Sequence, residues 1–247
     1  MRDDEILAEV VERPRHAYVL LPGMRVIERP GWFQLITPSF TQGGFNDVHA
    51  ELADADADRV IAETIDEYRR LGLQFRWILG PASKPADLAD RLARAGLRRT
   101  DSFGMARSTE ITPSSSIAVA RVDATTLDAF TQTMSDGWRR DAAPFRLAHR
   151  AMLASDNQHM FLATCDGECA GAATYVSFPR SAYLLGAVVR EAFRGRGVYR
   201  ALVEARLVDA AARGIMLATT HAMAKTSAPI LAGFGFRTVC ELVSFRG

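Results

Sequence analysis

The sequence predicts a layered α/β fold: a mixed central sheet flanked by helices, organised as two related units. Three observations carry this. Strand-like and helix-like runs alternate along the chain. The tail from residue 181 reads strand, helix, strand, helix, strand. And residues 72–99 parallel residues 214–238, each running glycine, apolar strand, loop, proline-containing helix, then Gly-apolar-Arg, with one small indel between them. The 247 residues are enough for two small domains, and a hydrophobic content of 48% supplies the cores.

The elements follow in order. WFQLITPSF (32–40) is β-rich, and GGFNDVHAEL (43–52) alternates after its glycines. In ADADRVIAETIDEYRRLGL the residues Val60, Ile61, Thr64, Ile65 and Tyr68 fall on one helical face, and Gly72 is a stop. LQFRWILGP is a short buried strand that ends at Gly80-Pro81. KPADLADRLARAGL is a helix with Pro85 near its start and Gly96 at its end. A strand through Phe103 and Met105 closes the first domain, 1–108. Residues 109–116 are polar, turn-rich and contain Pro113, which reads as a linker.

The second domain, 117–247, opens with the strand IAVARV and two helical stretches near Leu127–Trp138 and Phe145–Leu153. HMFLATCDGECAGAATYVSF is a hairpin turning at Asp166-Gly167, a pair suited to positive φ. Cys165 and Cys169 then belong to the hairpin, and with no second ligand pair in view no metal is expected. SAYLLGAVV (181–189) is an uninterrupted apolar strand. The following helix places Val198, Leu202, Ala205 and Val208 on one face and ends at Gly214. IMLATTHA is a strand, KTSAPILAGFGF a short helix with Thr226 or Ser227 as cap, and TVCELVSF a last strand.

The formal net charge is +1, so any electrostatic function must be local, and neither nucleic acid nor an anionic membrane is an expected partner. Three cysteines, the acidic N-terminus MRDDEILAEVV without a basic leader, and no apolar run near the roughly 20 residues of a membrane span fit a cytoplasmic protein.

The local charge sits in VVREAFRGRGVYRAL (188–202), where Arg190, Arg194, Arg196 and Arg200 surround Gly195 and Gly197. A helix start offers unpaired amides and the positive end of the helix dipole. Glycines let an anion approach the backbone, and arginines add directed donors. The loop follows an apolar strand, so it asks for a pyrophosphate. ADADADRV, at the same place in the first domain, would repel one. The bland alternative is a solvated basic helix start. The spacing fits neither a P-loop nor G-x-G-x-x-G, which weakens a reading as an ATP- or NAD-binding module.

The window, with GFGF downstream, resembles the acyl-CoA-binding motif of the GNAT N-acetyltransferase superfamily, [Arg/Gln]-x-x-Gly-x-[Gly/Ala]. Arg194, Gly197 and Tyr199 fill the named positions, and Tyr199 departs from Gly/Ala. The resemblance covers about residues 115–247, with the first domain as a degenerate copy, as in tandem GNAT proteins. It implies a fold with a mixed central sheet and acetyl-CoA as acyl donor. The pyrophosphate would lie on Arg194, Gly195, Arg196, Gly197, Val198 and Tyr199, and the pantetheine arm along Ala187, Val188 and Val189, where the fourth and fifth strands part. It implies direct attack of an amine on the thioester, with a Val189-region backbone donor for the carbonyl oxygen. The tyrosine that serves many members as acid maps to Leu231.

His221, at the end of IMLATTHA, is the candidate base, against the alternative of a structural histidine. Tyr183 and Tyr175 are second choices that also read as core or cleft wall. Glu168 reads as surface, and His149 and His159 have no evident partner. Trp138, Arg139, Arg140 and Asp141 lie where the family shapes its acceptor pocket, while Phe145 and Trp77 read as core. The acceptor would be a small-molecule or protein amine. A homodimer is compatible with all of this. A non-catalytic acyl-CoA-binding or regulatory protein is the competing reading.

Overall fold

The computed structural model describes residues 1–247. The chain divides into two compact units that do not follow linear order: one holds Met1–Val19 and Ala106–Thr220, the other Leu20–Met105 and His221–Gly247.

In the first of these, strands β6 (Ala118–Arg121), β7 (Gln158–Cys165), β8 (Glu168–Ser177) and β9 (Ser181–Val189) form an antiparallel meander, and β10 (Leu217–Met223) adds in parallel to β9. Helices α4 (Leu127–Trp138) and α5 (Ala143–Leu153) lie in the chain between β6 and β7, and α6 (Val198–Ala212) joins β9 to β10. Asp166 and Gly167 turn the β7–β8 hairpin with φ of 54° and 79°, as their residue types predict. The first helix, α1 (Asp3–Val11), has no counterpart in the sequence reading. It is held through Glu9, which accepts the Ser181 hydroxyl at 2.6 Å beside Arg13. The polar stretch after residue 108 is tied down. Thr109 bonds Ile215 and Met216, while the amides of Ser114 and Ser115 both donate to the buried Glu204 carboxylate.

The second unit repeats this order without counterparts of β6, α4 and α5. Strands β1 (Arg25–Arg29), β2 (Trp32–Ile36) and β3 (Asp47–Ala50) form an antiparallel meander, helix α2 (Ala57–Arg70) follows, and β4 (Arg76–Leu79) pairs in parallel with β3. After α3 (Leu88–Arg94) comes β5 (Arg98–Ser108). The chain's last strand, β11 (Arg237–Arg246), follows α7 (Ser227–Ala232), lies between β4 and β5, and pairs antiparallel with β4. Phe245 is thereby buried in a core with Trp77, Tyr68, Phe75 and Ile61. The repeat seen at 72–99 and 214–238 is thus a repeat of topology. The two copies share three antiparallel strands (β1–β3 and β7–β9), a helix and a parallel strand, then a short helix and a further strand.

Two local expectations need correcting. On α6 the buried residues include Val198 and Leu202 but also Glu204, Arg206 and Leu207, while Val208 is exposed, because the helix buries a broad face that includes polar side chains. Neither Thr226 nor Ser227 caps α7 with its side chain; the Ser227 hydroxyl instead accepts the Met223 amide at 2.8 Å. Asp54, before α2, and Asp58, in its first turn, converge with Asp87 on Arg91.

Candidate functional site

Strands β9 and β10 part. Their parallel register runs only from Ser181↔Leu217 to Tyr183↔Thr219. Beyond that, the Thr220 hydroxyl reaches across to the Leu184 carbonyl at 2.9 Å, and the ladder ends. A β-bulge lies on the other edge of β9, three residues beyond Tyr183, the last β9 residue of that ladder. Consecutive β8 residues Ala173 and Thr174 face Ala187 and Leu185, so Gly186 is an extra residue, a β-bulge with φ of 52°. A bulge bends its strand and raises its twist. Gly186 lies beneath α4, where a Cβ would stand 3.4 Å from Met134 and Trp138.

The predicted arm-binding residues occupy this free end. Val188 is buried, and Ala187 and Val189 are half-buried. The Arg190 amide donates to Ala170 on β8, so by strand alternation the backbone groups of Ala187 and Val189 face the parted edge. These are hydrogen-bonding groups suited to an extended amide chain.

The strand leads through a single 3₁₀ turn, Glu191–Phe193, into Gly195-Arg196-Gly197 and the start of α6. Gly195 and Gly197 hold φ of 74° and 84°, the left-handed region glycine favours. The space before Gly195 is open, and Gly197 would bring a Cβ only to Ile117 at 3.9 Å. The first intrahelical bond runs from the Ala201 amide to the Gly197 carbonyl, which leaves the preceding amides at the positive helix end.

The arginines divide. Arg194 is exposed and makes no ion pair. Arg196 pairs with Asp166 of the hairpin turn, which raises its pKa, and lies over the Phe193 ring at 5.4 Å. That exposed pair is screened by water and is open to exchange for a stronger anion. Arg190 is held by Asp136 at 3.5 Å and by the Cys169 carbonyl, and Arg200 leans toward Glu204 at 3.8 Å. Tyr199, where the motif has Gly or Ala, is half-buried and interacts with Arg206.

His221 follows the last paired residue of β10 by two positions, and it is half-buried. Leu231 is buried on α7 and carries no acidic proton. Tyr175 is core, donating to Asp209, and burial pushes its pKa above the usual range. Tyr183 packs with Ala17 and Val176. Trp138 is half-exposed against Phe145, and Arg139 pairs with Glu191 at 2.7 Å. Glu168 is exposed and Trp77 is buried. Both histidines without an evident partner have one. His149 meets the Thr131 hydroxyl at 2.9 Å, and His159 lies between Arg121 and Ser177, each at 2.9 Å. Sequence spacing could not reveal these contacts, because they join residues 18 and 38 positions apart. No helix is long and apolar enough to cross a membrane.

The unit is thus a mixed sheet whose fourth and fifth strands, β9 and β10, part, with a glycine-arginine helix start at the end of the fourth. Residues 124–236 match the model of the acetyltransferase (GNAT) family. No curated protein matches the sequence. Solved structures share the fold over nearly the whole chain. A GCN5-related N-acetyltransferase from Kribbella flavida has 15% identity and a TM-score of 0.66, covering 99% of this chain and 94% of that one. A tandem GNAT protein from the clavulanic acid biosynthesis pathway has 12% identity and a TM-score of 0.61, covering 98% and 87%. A conserved protein of unknown function from Staphylococcus epidermidis has 10% identity and a TM-score of 0.69, covering 92% and 95%.

Proposed function

We propose that the protein is an acetyl-CoA-dependent N-acetyltransferase that moves an acetyl group to an amine by direct attack, the acceptor being a small-molecule or protein amine. The observation that carries this is the junction of parted strand and glycine-arginine helix start. An extended arm would pair with Ala187 and Val189, and a pyrophosphate would meet the amides of the Gly195–Tyr199 turn with Arg194 and Arg196. Acetyl-CoA supplies the activated acyl group. The backbone near Val189 would donate to the carbonyl oxygen as charge builds there. His221 is the proposed base. With Leu231 at the position of the family's acid, the thiolate would leave without a side-chain donor, taking its proton from water.

Leu231 is also the observation that favours the second reading, a non-catalytic acyl-CoA-binding protein. Titration calorimetry with acetyl-CoA, on the wild type and on Gly197→Glu, tests the shared part. The expected result is binding by the wild type and none by the folded variant, whose carboxylate stands where pyrophosphate is expected. No binding by the wild type overturns both readings. Thiol release with a panel of amines then separates enzyme from binder.

A further inference from the structure

Arg206 is the most unusual side chain near the cleft. It is 2% exposed and has no carboxylate partner. Burial lowers its pKa only to about 10, so it remains a buried cation at neutral pH. Such a group is costly unless hydrogen-bonded. Its Nε donates to the Leu202 carbonyl at 2.9 Å within α6, one Nη donates to the Thr174 carbonyl at 3.2 Å, and Tyr199 supplies a further hydrogen-bond partner.

Thr174 is the β8 residue at which the register with β9 shifts. A bulge strips backbone groups of their ladder partners. Here two side chains bond carbonyls at the bulge. Arg206 satisfies the Thr174 carbonyl, and the Thr174 hydroxyl donates to the Leu185 carbonyl, next to Gly186. Leu184, one residue back, takes the Thr220 hydroxyl from β10. The contacts therefore run from the first turn of α6 (Tyr199) through Arg206 and Thr174 to the residues where β9 leaves β10. Tyr199, the departure from the motif, serves the buried cation.

We infer that Arg206 is a positioning residue, which fixes the bulge at Gly186 through Thr174 and so holds the strands apart for the pantetheine arm. This rests on the acyl-CoA reading above. It predicts an effect confined to the arm, because the pyrophosphate turn keeps its own amides and arginines.

The test uses the full chain and two ligands: acetyl-CoA, and 3′-phosphoadenosine 5′-diphosphate, which carries the nucleotide but no arm. Arg206→Met removes the guanidinium at similar length. Thr174→Val removes one hydroxyl without disturbing the buried charge, and serves if the first variant does not fold. Each folded variant is expected to bind acetyl-CoA about tenfold more weakly, the scale of one buried hydrogen bond lost, with affinity for the nucleotide within about twofold of wild type. Equal losses for both ligands, or a lowered melting temperature with unchanged acetyl-CoA affinity, would make Arg206 a structural strut and overturn the inference. A wild type that binds neither ligand overturns the acyl-CoA reading itself, so the two failures are distinct.

Discussion

Gly137 on α4 packs against Val188 of the expected arm-binding strand. A Cβ there would stand 2.5 Å from the Val188 Cβ, a contact no relaxed structure keeps. Two effects compete in Gly137→Ala. Alanine favours a helix interior by about 1 kcal/mol over glycine. Overpacking of a tight contact costs about 1–3 kcal/mol, and the partner here is a β-branched side chain on a sheet strand with little room to give. The clash wins. The variant is expected to melt several degrees lower, at roughly 2–4 °C per kcal/mol for a chain of this size, and to bind acetyl-CoA more weakly because Val188 is displaced. Scanning calorimetry and a binding titration check both; an unchanged or raised melting temperature would mean that α4 moves freely over β9. Gly195→Ala has open space at its Cβ, so its penalty is only the left-handed backbone at φ 74°, about 1 kcal/mol.

At the scale of elements, α4 and α5 are joined by a polar contact inside an aromatic cluster. His149 lies edge-on to Phe130 at 4.8 Å, stacks near Phe145, and meets the Thr131 hydroxyl. Burial pulls its pKa down from 6.5 to about 4. Between those values the unfolded chain binds a proton that the folded one does not, so stability falls as pH falls from 6.5 to 4, by at most about 1.4 kcal/mol per pH unit from this group. His149→Gln retains a partner for Thr131 and cannot titrate. It is expected to flatten the dependence of unfolding free energy on pH in that window, measured by urea titration at several pH values; an unchanged slope would place the acid sensitivity elsewhere, with His159 next. Both helices were legible from their apolar spacing, as were the hairpin with its Asp166-Gly167 turn, strand β9 and the glycine-arginine loop. Elements with weak or mixed pattern were not: α1 is acidic throughout its first turn, and β1, RVIER, is charged at both ends. The bulge left only one trace, Gly186 within an apolar run. Arg206 left none, since an arginine in a helix ordinarily faces water, and only its contacts set it inside.

For the whole molecule, the family match and the compact units disagree about where a domain ends. The match stops at residue 236, while the chain continues into β11. That strand is an inner strand of the unit built mainly from Leu20–Met105, between β4 and β5, and its Phe245 is fully buried. An inner strand supplies ladder bonds on both edges as well as core, so its loss cannot be offset by water. Conversely, the unit that holds the glycine-arginine loop draws in Met1–Val19, whose Glu9 bonds the buried Ser181 at the foot of β9. A fragment of residues 117–247 therefore lacks both α1 and the strands that flank β11. It is expected to show no cooperative thermal transition and no acetyl-CoA binding, although it contains every residue expected to touch the ligand. Chain 1–236 is expected to lose the folding of the β1–β4 unit while keeping helical signal from α4, α5 and α6, which circular dichroism and limited proteolysis can resolve. A cooperative, ligand-binding 117–247 fragment would restore the linear division of the chain and reduce the first 116 residues to an appendage. Its failure would mean that neither half of the sequence completes a folding unit alone, which is a reason for the first half to be retained.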